Sequence, residues 1–257
     1  MIIEVDGSRV TDPRLDPGRA PYGHFTAMQV RGRSTRGLDL HLERLDAANR
    51  ELFGTGADRG EVLAGIGHAL GDMEDASVRV YMVDREQGEG ASTVVTVRPP
   101  GAMPAAPQQL EAVPYLRALA HLKHLGDFGQ THYRRLAHRH GCDDALLTGP
   151  DGTIAECGIA NIAFVDATGI VWPDAPALAG ITMQLLEPRL AAAGLPTRRA
   201  TVRLADLPAY RGAFVTNARG IAPVGQIGDV ELAVDGELMQ AVAAVYEAVP
   251  WDPTADR

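Results

Sequence analysis

The chain has 257 residues, of which 46% are hydrophobic and 22% are charged, and its mean hydropathy is −0.07. This composition is typical of a globular protein with one large domain or two small ones, so fibrous, low-complexity and disordered classes are excluded. The net charge of −9 and the pI of about 5.3 disfavour a protein that neutralises nucleic-acid phosphates or coats an anionic membrane.

The sequence predicts a cytoplasmic protein. No stretch approaches the roughly 20 apolar residues of a spanning helix, and the N-terminal segment MIIEVDGSRV lacks the apolar region of an export signal. Two cysteines, Cys142 and Cys157, are too few for a disulfide framework. The histidine pairs at 121/124 and 138/140 lack a carboxylate–histidine metal signature, so no metal site is predicted.

The first hundred residues alternate short strands with two helices. The segment GHFTAMQVRG is rich in strand formers, and residues 38–54 place Leu42, Leu45 and Leu52 at helical spacing before Gly54 ends the helix. A second helix is predicted over 60–72, followed by the strands SVRVYMVD and STVVTVRP. Four prolines within residues 99–109 then predict irregular backbone, which favours a linker over 99–117 between domains at 1–98 and 118–257.

The second domain also mixes strands and helices. Helices are predicted over 126–140, 181–194 and 236–248, and strands over 145–148, 153–157, 160–165 and 169–172 and in the segments AFVTNA and IAPVGQI. A turn is predicted at Pro150–Gly152. The pattern predicts an α+β protein of two subdomains, with a site between them.

The count of basic residues points to a side-chain amine that reacts. The 24 basic residues comprise 23 arginines and a single lysine, Lys123. A coding bias can replace solvated lysines by arginine at little physical cost, but not a lysine whose free amine reacts, because a guanidinium stays protonated and cannot form an imine. Chance survival of one surface lysine explains the count equally well, so it only nominates Lys123.

Other polar residues lie at the ends of predicted segments. Glu156 stands in an apolar strand, where an unpaired carboxylate is costly, and Gly180 begins a helix whose first amides can bind an anion. Arg44 lies on the first helix, and Thr216 and Asn217 end a strand. An amine, a carboxylate, a helix start, an arginine and a hydroxyl are the parts that hold pyridoxal 5′-phosphate. Each also has a structural explanation, such as a core arginine paired with Glu156 or a threonine that caps its helix.

The order of these residues along the chain is more specific than any one of them alone. The segments HLERL (41–45), LKHLGDFGQ (122–130), GCDDALLTGPDGTIAECGIANIAF (141–164), LAGIT (178–182) and VTNARGIAPV (215–224) carry the resemblance. With them the chain resembles the class IV (fold type IV) pyridoxal-phosphate family, which includes branched-chain and D-amino-acid aminotransferases and aminodeoxychorismate lyase. The resemblance implies the two-domain, D-amino-acid aminotransferase-like fold and a homodimer.

The resemblance also implies roles for individual residues. Lys123 would form the internal imine with the cofactor, and Glu156 would pair with its pyridine nitrogen. The remaining cofactor contacts, mostly to the phosphate, would be Arg44, Ile181 through its backbone, Thr182, Thr216 and Asn217. Thr26, Arg117 and Arg219 are candidates for contacts with the substrate.

Three functions remain open at this point. The first is an aminotransferase that moves an amino group between an amino acid or amine and a keto acid. The second is aminodeoxychorismate lyase, which releases pyruvate and 4-aminobenzoate; Thr26 favours it, because family aminotransferases usually have a glutamate at that place. Met183, where many members have arginine after L-x-G-I-T, departs from the family pattern. The third is a non-catalytic binding relative, which retention of the only lysine disfavours.

Overall fold

The computed structural model describes residues 2–5, 7–10, 22–84 and 90–254. It divides the chain into two compact units. Unit 1 comprises Met1–Gly101, Leu122–Gly126 and Pro250–Arg257, and unit 2 comprises Ala102–His121 and Asp127–Val249. Each unit combines a sheet with helices, so the predicted α+β class is confirmed. No helix in the described ranges is both long and apolar enough to cross a membrane.

Unit 1 is built on a five-stranded antiparallel sheet. Its strands are β1 (Ile2–Val5), β2 (Ser8–Val10), β3 (Gly23–Val30), β5 (Ala76–Asp84) and β6 (Ala91–Arg98), and two short strands, β4 (Ser34–Thr35) and β16 (Asp252–Pro253), pair separately. The order in the sheet is β2-β1-β6-β5-β3, which leaves β3 at one edge. The helices α1 (Leu38–Phe53) and α2 (Arg59–Leu70) pack against this sheet.

The periodicities of a strand and of a helix explain why polar side chains are buried between β3 and α1. Alternate side chains of β3, which include His24, Thr26 and Met28, are buried, as expected for a strand with one face in the core. The helix α1 buries its stripe at spacings of three and four residues. That stripe contains the predicted Leu42 and Leu45, but also His41. Both patterns therefore bring polar side chains into the core of unit 1.

Unit 2 contains a mixed nine-stranded sheet. Its strands are β7 (Gln108–Val113), β8 (Asp144–Thr148), β9 (Ile154–Cys157), β10 (Asn161–Val165), β11 (Ile170–Pro173), β12 (Thr197–Ala200), β13 (Gly212–Asn217), β14 (Gly220–Ile227) and β15 (Val230–Glu231). The order is β12-β11-β10-β13-β14-β7-β8-β9, and β15 pairs with β14. Helices α3 (Phe128–Arg139), α4 (Ile181–Ala192) and α5 (Gly236–Glu247) and a 3₁₀ helix (Leu204–Ala209) complete the unit.

The two faces of this sheet carry separate cores. Val215 belongs to one hydrophobic cluster, while Phe214 packs in another with Trp172 and with Met183 and Leu186 of α4. Because side chains alternate along a strand, Thr216 lies on the same face as Phe214. The alternation of β13 therefore directs the Thr216 hydroxyl toward the face that α4 covers.

Two features of the structure concern the predicted linker and the predicted placement of Lys123. The strand β7 lies inside residues 99–117, which were predicted as linker, and it pairs with both β14 and β8. Its sequence QQLEAV follows directly after Pro107, so the proline-rich composition before it hid the strand. The second feature is Lys123, which the sequence placed in the C-terminal domain and which the structure groups with unit 1. The boundaries themselves stay a prediction.

Candidate active site

Lys123 lies beside the edge strand β3. The amide of Phe25 donates a hydrogen bond to the carbonyl of Lys123 at 2.9 Å, and the amide of Leu125 donates to the carbonyl of Gly23 at 2.9 Å. An edge strand offers unpaired backbone groups, and residues 123–125 occupy them. The Lys123 Nζ lies 4.7 Å from the centroid of the Phe25 ring, within the range of a cation–π contact. Backbone and side chain together fix the only lysine against β3.

Arg44 lies in the same unit, at the buried interface of α1 and β3. Its Nη2 donates to the Thr26 Oγ1, which lies 2.7 Å from the Nδ1 of His41. The Arg44 Nε is buried and has no hydrogen-bond partner, and no described carboxylate forms a salt bridge with this guanidinium. Burial lowers the pKa of Arg44 to about 10. A half-buried cation without a counter-ion favours the binding of an anion.

Two histidines in this region have lowered pKa values. Burial holds the pKa of His41 well below its usual value, and the charges of Arg44 and Lys123 lower it further. Burial also lowers the pKa of His24 to about 4, against the opposing effect of its hydrogen bond with the Asn49 Oδ1 at 3.3 Å. Arg44 and Lys123 are the two cations whose charges act on His41.

Unit 2 holds the predicted carboxylate in a buried ion pair. Glu156 on β9 is 5% exposed and Arg117 is 9% exposed. The Arg117 Nε donates to the Glu156 Oε1 at 2.7 Å, and the amide of Leu178 donates to Oε2 at 3.2 Å. The Arg117 Nη2 also donates to the carbonyl of Ala120. The core arginine that the sequence offered as a structural partner of Glu156 is therefore Arg117.

The start of α4 is held by side chains from neighbouring strands. Gly180 is the N-cap and receives no side-chain cap, and the Thr182 hydroxyl donates to the carbonyl of Asn217 at 2.7 Å. Asn161 donates through Nδ2 to the carbonyl of Leu178 at 2.7 Å. Thr182 therefore does not cap its helix. The first amides of α4 carry no side-chain acceptor and remain available to an anion.

The end of β13 supplies further polar groups. Thr216 is 1% exposed, and its Oγ1 has no hydrogen-bond partner among the described residues. The Asn217 Oδ1 accepts from the amide of Arg219 at 2.8 Å, and Arg219 itself is exposed. A buried hydroxyl without a partner is costly unless a ligand completes its hydrogen bonds.

The predicted residues thus fall into two groups. Unit 1 contains Thr26, Arg44 and Lys123, and unit 2 contains Arg117, Glu156, Ile181, Thr182, Thr216, Asn217 and Arg219. The sequence predictions missed His41 and Asn161. A polar residue within the apolar stripe of α1 was a usable signal for His41, whereas the contact of Asn161 depends on how β10 meets the segment before α4.

The comparison with known families is decisive for classification. The family model described as "Amino-transferase class IV" matches residues 23–227, which include all of the predicted site residues. The chain belongs to the class IV aminotransferase family. This is a family of enzymes, so an enzymatic function is supported at that level.

Solved structures show the fold of this class IV family member. A hypothetical aminotransferase from Mycobacterium tuberculosis, in its PLP-bound form, matches with a TM-score of 0.81 at 18% identity over 97% of this chain and 98% of that chain. A branched-chain aminotransferase from Thermoproteus uzoniensis with norvaline gives a TM-score of 0.82 at 21% identity over 96% and 93%. The predicted fold type IV architecture is confirmed.

A third neighbour carries a different activity in its name. A Legionella pneumophila protein named provisionally as 4-amino-4-deoxychorismate lyase matches with a TM-score of 0.79 at 17% identity over 90% of this chain and 92% of that chain. No curated protein matches the chain in sequence. The family and the PLP-bound neighbour support the predicted cofactor, pyridoxal 5′-phosphate.

Proposed function

We propose that this class IV family member is a pyridoxal-phosphate-dependent aminotransferase that moves an amino group between an amino acid or amine and a keto acid. The observation that carries the proposal is the convergence of Lys123 and Arg44 on strand β3. They are distant in sequence, yet both contact β3: Lys123 through its backbone and the Phe25 ring, and Arg44 through Thr26. A reactive amine and an anion-binding guanidinium are the two anchors that this cofactor requires.

Each unit, taken by itself, contains groups of the kind that hold the cofactor. In unit 1, the half-buried guanidinium of Arg44 lacks a counter-ion that a phosphate would supply. In unit 2, the uncapped start of α4 offers amides of Ile181 and Thr182, and the orphaned hydroxyl of Thr216 lacks an acceptor or donor. The assignment of these groups to the phosphate comes from the family resemblance; within unit 2, Asn217 supports Thr182 through its carbonyl.

The bound cofactor would supply an aldehyde that condenses with amines and a ring that accepts electrons from the reacting carbon. Lys123 would hold it covalently through Nζ and move the proton at the substrate carbon. The Glu156 carboxylate would accept a hydrogen bond from the protonated pyridine nitrogen. Arg117 and the Leu178 amide fix both carboxylate oxygens, so they orient Glu156 for this role.

The substrate-binding candidates divide by their contacts. Thr26 is buried and engaged with Arg44 and His41, and Arg117 is engaged with Glu156. We therefore propose a positioning role for these two. From the family resemblance and its exposure, Arg219, which lies in the turn after β13, is the candidate for the substrate carboxylate. We further propose, from the family resemblance, that the protein acts as a homodimer in the cytoplasm.

An absorbance spectrum tests the cofactor and its attachment together. The purified protein is expected to show a violet-region band that collapses on borohydride reduction, and peptide mapping should then find the pyridoxyl group on Lys123. The holoenzyme is next tested with amino donors and a panel of keto acids, where amino transfer should require both substrates. A colourless protein that fails to take up added pyridoxal phosphate would contradict the proposal and leave the non-catalytic relative.

Aminodeoxychorismate lyase is the second candidate. Thr26 favours the lyase, because family aminotransferases usually have a glutamate at this place. In the structure its hydroxyl accepts a hydrogen bond from Arg44. The two activities differ in their need for a second substrate. Release of pyruvate and 4-aminobenzoate from aminodeoxychorismate without any keto acid, together with inactivity on the keto-acid panel, would establish the lyase instead.

A further inference from the structure

A buried chain of three side chains ends at the guanidinium of Arg44. The Arg44 Nη2 donates to the Thr26 Oγ1, and the same oxygen lies 2.7 Å from the His41 Nδ1. Thr26 is fully buried and His41 is 3% exposed, so water does not substitute for these contacts. The three residues come from β3 and α1 and lie within unit 1.

The count of donors and acceptors fixes which atom donates in each of these hydrogen bonds. The Thr26 oxygen accepts from Arg44, which has only donors, and the hydroxyl proton then needs an acceptor of its own. His41 Nδ1 is the acceptor within reach, so the imidazole carries its proton on Nε2 and is neutral. The opposite tautomer would leave a buried hydroxyl proton without a partner, which is unfavourable.

We propose that His41, acting through Thr26, is a positioning residue that holds the Arg44 guanidinium in place for the phosphate of the cofactor. This inference rests on the proposed function, and it adds a residue that touches neither the cofactor nor the reacting atoms. A neutral imidazole accepts the threonine proton without adding a negative charge. Arg44 is therefore oriented while its full charge remains available to an anion.

The remaining donors of Arg44 support this role. Only one of the five N–H groups of the guanidinium has an acceptor among the described residues, and the buried Nε has none. Arginine side chains lose much rotamer freedom when they bind a ligand, and an anchored guanidinium has already lost it. Removal of the anchor should weaken phosphate binding in particular, rather than cofactor binding in general.

Comparison of two ligands tests the proposal. Pyridoxal 5′-phosphate and pyridoxal share the ring and the aldehyde but differ in the phosphate, so the ratio of their apparent Kd values for the apo-protein isolates phosphate binding. Thr26→Val removes the hydroxyl at nearly constant shape, and His41→Leu removes its acceptor. Each is expected to lower the preference for the phosphorylated ligand about tenfold and to change pyridoxal binding less than twofold.

Conservative and matched variants separate positioning from packing. Thr26→Ser keeps the hydroxyl, and His41→Asn places an amide oxygen where Nδ1 lies, so both should keep the wild-type preference within about threefold. His24→Leu removes another buried imidazole of unit 1 that does not contact Thr26, and it should leave the preference unchanged. Circular dichroism melting of each apo-variant shows whether it is folded.

The outcomes distinguish the two proposals. Loss of phosphate preference in Thr26→Val and His41→Leu, with rescue in the conservative variants, supports the positioning role. Equal weakening of both ligands, an unchanged preference, or loss of preference in His24→Leu as well would overturn it. A wild-type protein that binds neither ligand would overturn the proposed function and this inference together. If the leucine and valine variants do not fold, a preference in His41→Asn and Thr26→Ser more than about threefold below wild type overturns the positioning role, and a preference within about threefold supports it.

Discussion

The Glu156 carboxylate of unit 2 and the Arg44 guanidinium of unit 1 differ in how far the protein itself satisfies them. In unit 2, both oxygens of Glu156 accept hydrogen bonds, from Arg117 and from the Leu178 amide. In unit 1, Arg44 uses one donor, on Thr26, and has no described carboxylate partner. The carboxylate is thus fully supported before any ligand binds, while the guanidinium is oriented but not neutralised.

This difference separates preorganisation from ligand dependence. A buried carboxylate that is already paired keeps its position whether or not a cofactor is present, at the expense of a buried ion pair that adds little net stability. A half-buried cation without a counter-ion, such as Arg44, destabilises the apo-protein, and an anionic ligand would relieve that cost. We therefore expect ligand binding to stabilise the surroundings of Arg44 more strongly than those of Glu156.

The largest expected effect comes from Lys123. Lys123→Arg keeps the positive charge but cannot attach the cofactor, and Lys123→Ala removes both, so each should reduce turnover at least about a thousandfold. Borohydride reduction should then leave no pyridoxyl peptide. Because Lys123 is the only lysine, the wild-type protein offers one side-chain amine for labelling, and both variants offer none.

A test of this prediction needs a separate measure of binding. The Lys123→Arg variant should still bind the phosphorylated cofactor noncovalently, since Arg44 and the start of α4 are intact. Turnover within tenfold of wild type in either variant would mean that the amine has another role, and the proposed function would fail.

The second effect concerns the buried ion pair. Arg117→Met leaves the Glu156 carboxylate buried without its cation and should reduce the free energy of unfolding by about 3–5 kcal/mol. Arg199→Met is the matched control, because the Arg199–Glu187 pair lies at the surface with the arginine side chain 47% exposed. We expect that control to cost about 0–1 kcal/mol in urea unfolding.

A double variant sharpens this result. Glu156→Gln should slow turnover by orders of magnitude, because an amide weakens the hydrogen bond to the pyridinium. In Arg117→Met/Glu156→Gln the stability loss should be smaller than in Arg117→Met alone, since no unpaired charge remains. Additive losses would contradict the view that the pair acts through charge.

Much of the fold could be predicted from local patterns. The stripe of α1 follows from the spacing of Leu42 and Leu45, and the strands of the second half follow from apolar runs bounded by turns. The strand β7 could not, because prolines before Gln108 masked it and its pairing with β8 and β14 is set by distant residues.

The site shows the same limit. The sequence nominated Lys123 and Glu156 from their types and surroundings, but their partners depend on tertiary contacts. Arg117 pairs with Glu156 across 39 residues, and Lys123 joins β3 only because that strand lies at a sheet edge. The resemblance supplied roles for single residues, whereas the link of His41 to Arg44 through Thr26 required the structure.

The third effect is a pair of opposite pH responses. His24 has a folded pKa of about 4, below its usual value near 6.5, so the unfolded state binds more protons and stability falls as the pH drops from about 6.5 to 4. Burial raises the pKa of Asp144 to about 6, although Arg134 and the amides of Ala145 and Ile159 oppose this. Its contribution to stability therefore falls as the pH rises from about 4 to 6.

Two variants separate these contributions. Each shift corresponds to an upper limit of about 3 kcal/mol. Relative to wild type, His24→Gln should become more stable as the solution is acidified from pH 6.5 to 4. Asp144→Asn should become more stable as the pH is raised from 4 to 6. Urea unfolding at a series of pH values measures both, and parallel curves for either variant and wild type would contradict the assigned pKa.

The smallest effect tests how tightly the start of α4 is packed. A Cβ at Gly180 would lie 2.0 Å from the Asn161 Oδ1, so Gly180→Ala must displace Asn161 from the Leu178 carbonyl and should cost about 1–3 kcal/mol. Gly236→Ala is the matched control at the start of α5, where a Cβ meets nothing within 4 Å, and it should be neutral or stabilising by up to about 1 kcal/mol. Because Leu178 also donates to Glu156, loss of the Asn161 contact should loosen the carboxylate as well. Equal unfolding free energies for Gly180→Ala and wild type would show that Asn161 can move aside at no cost, which would contradict tight packing at the start of α4.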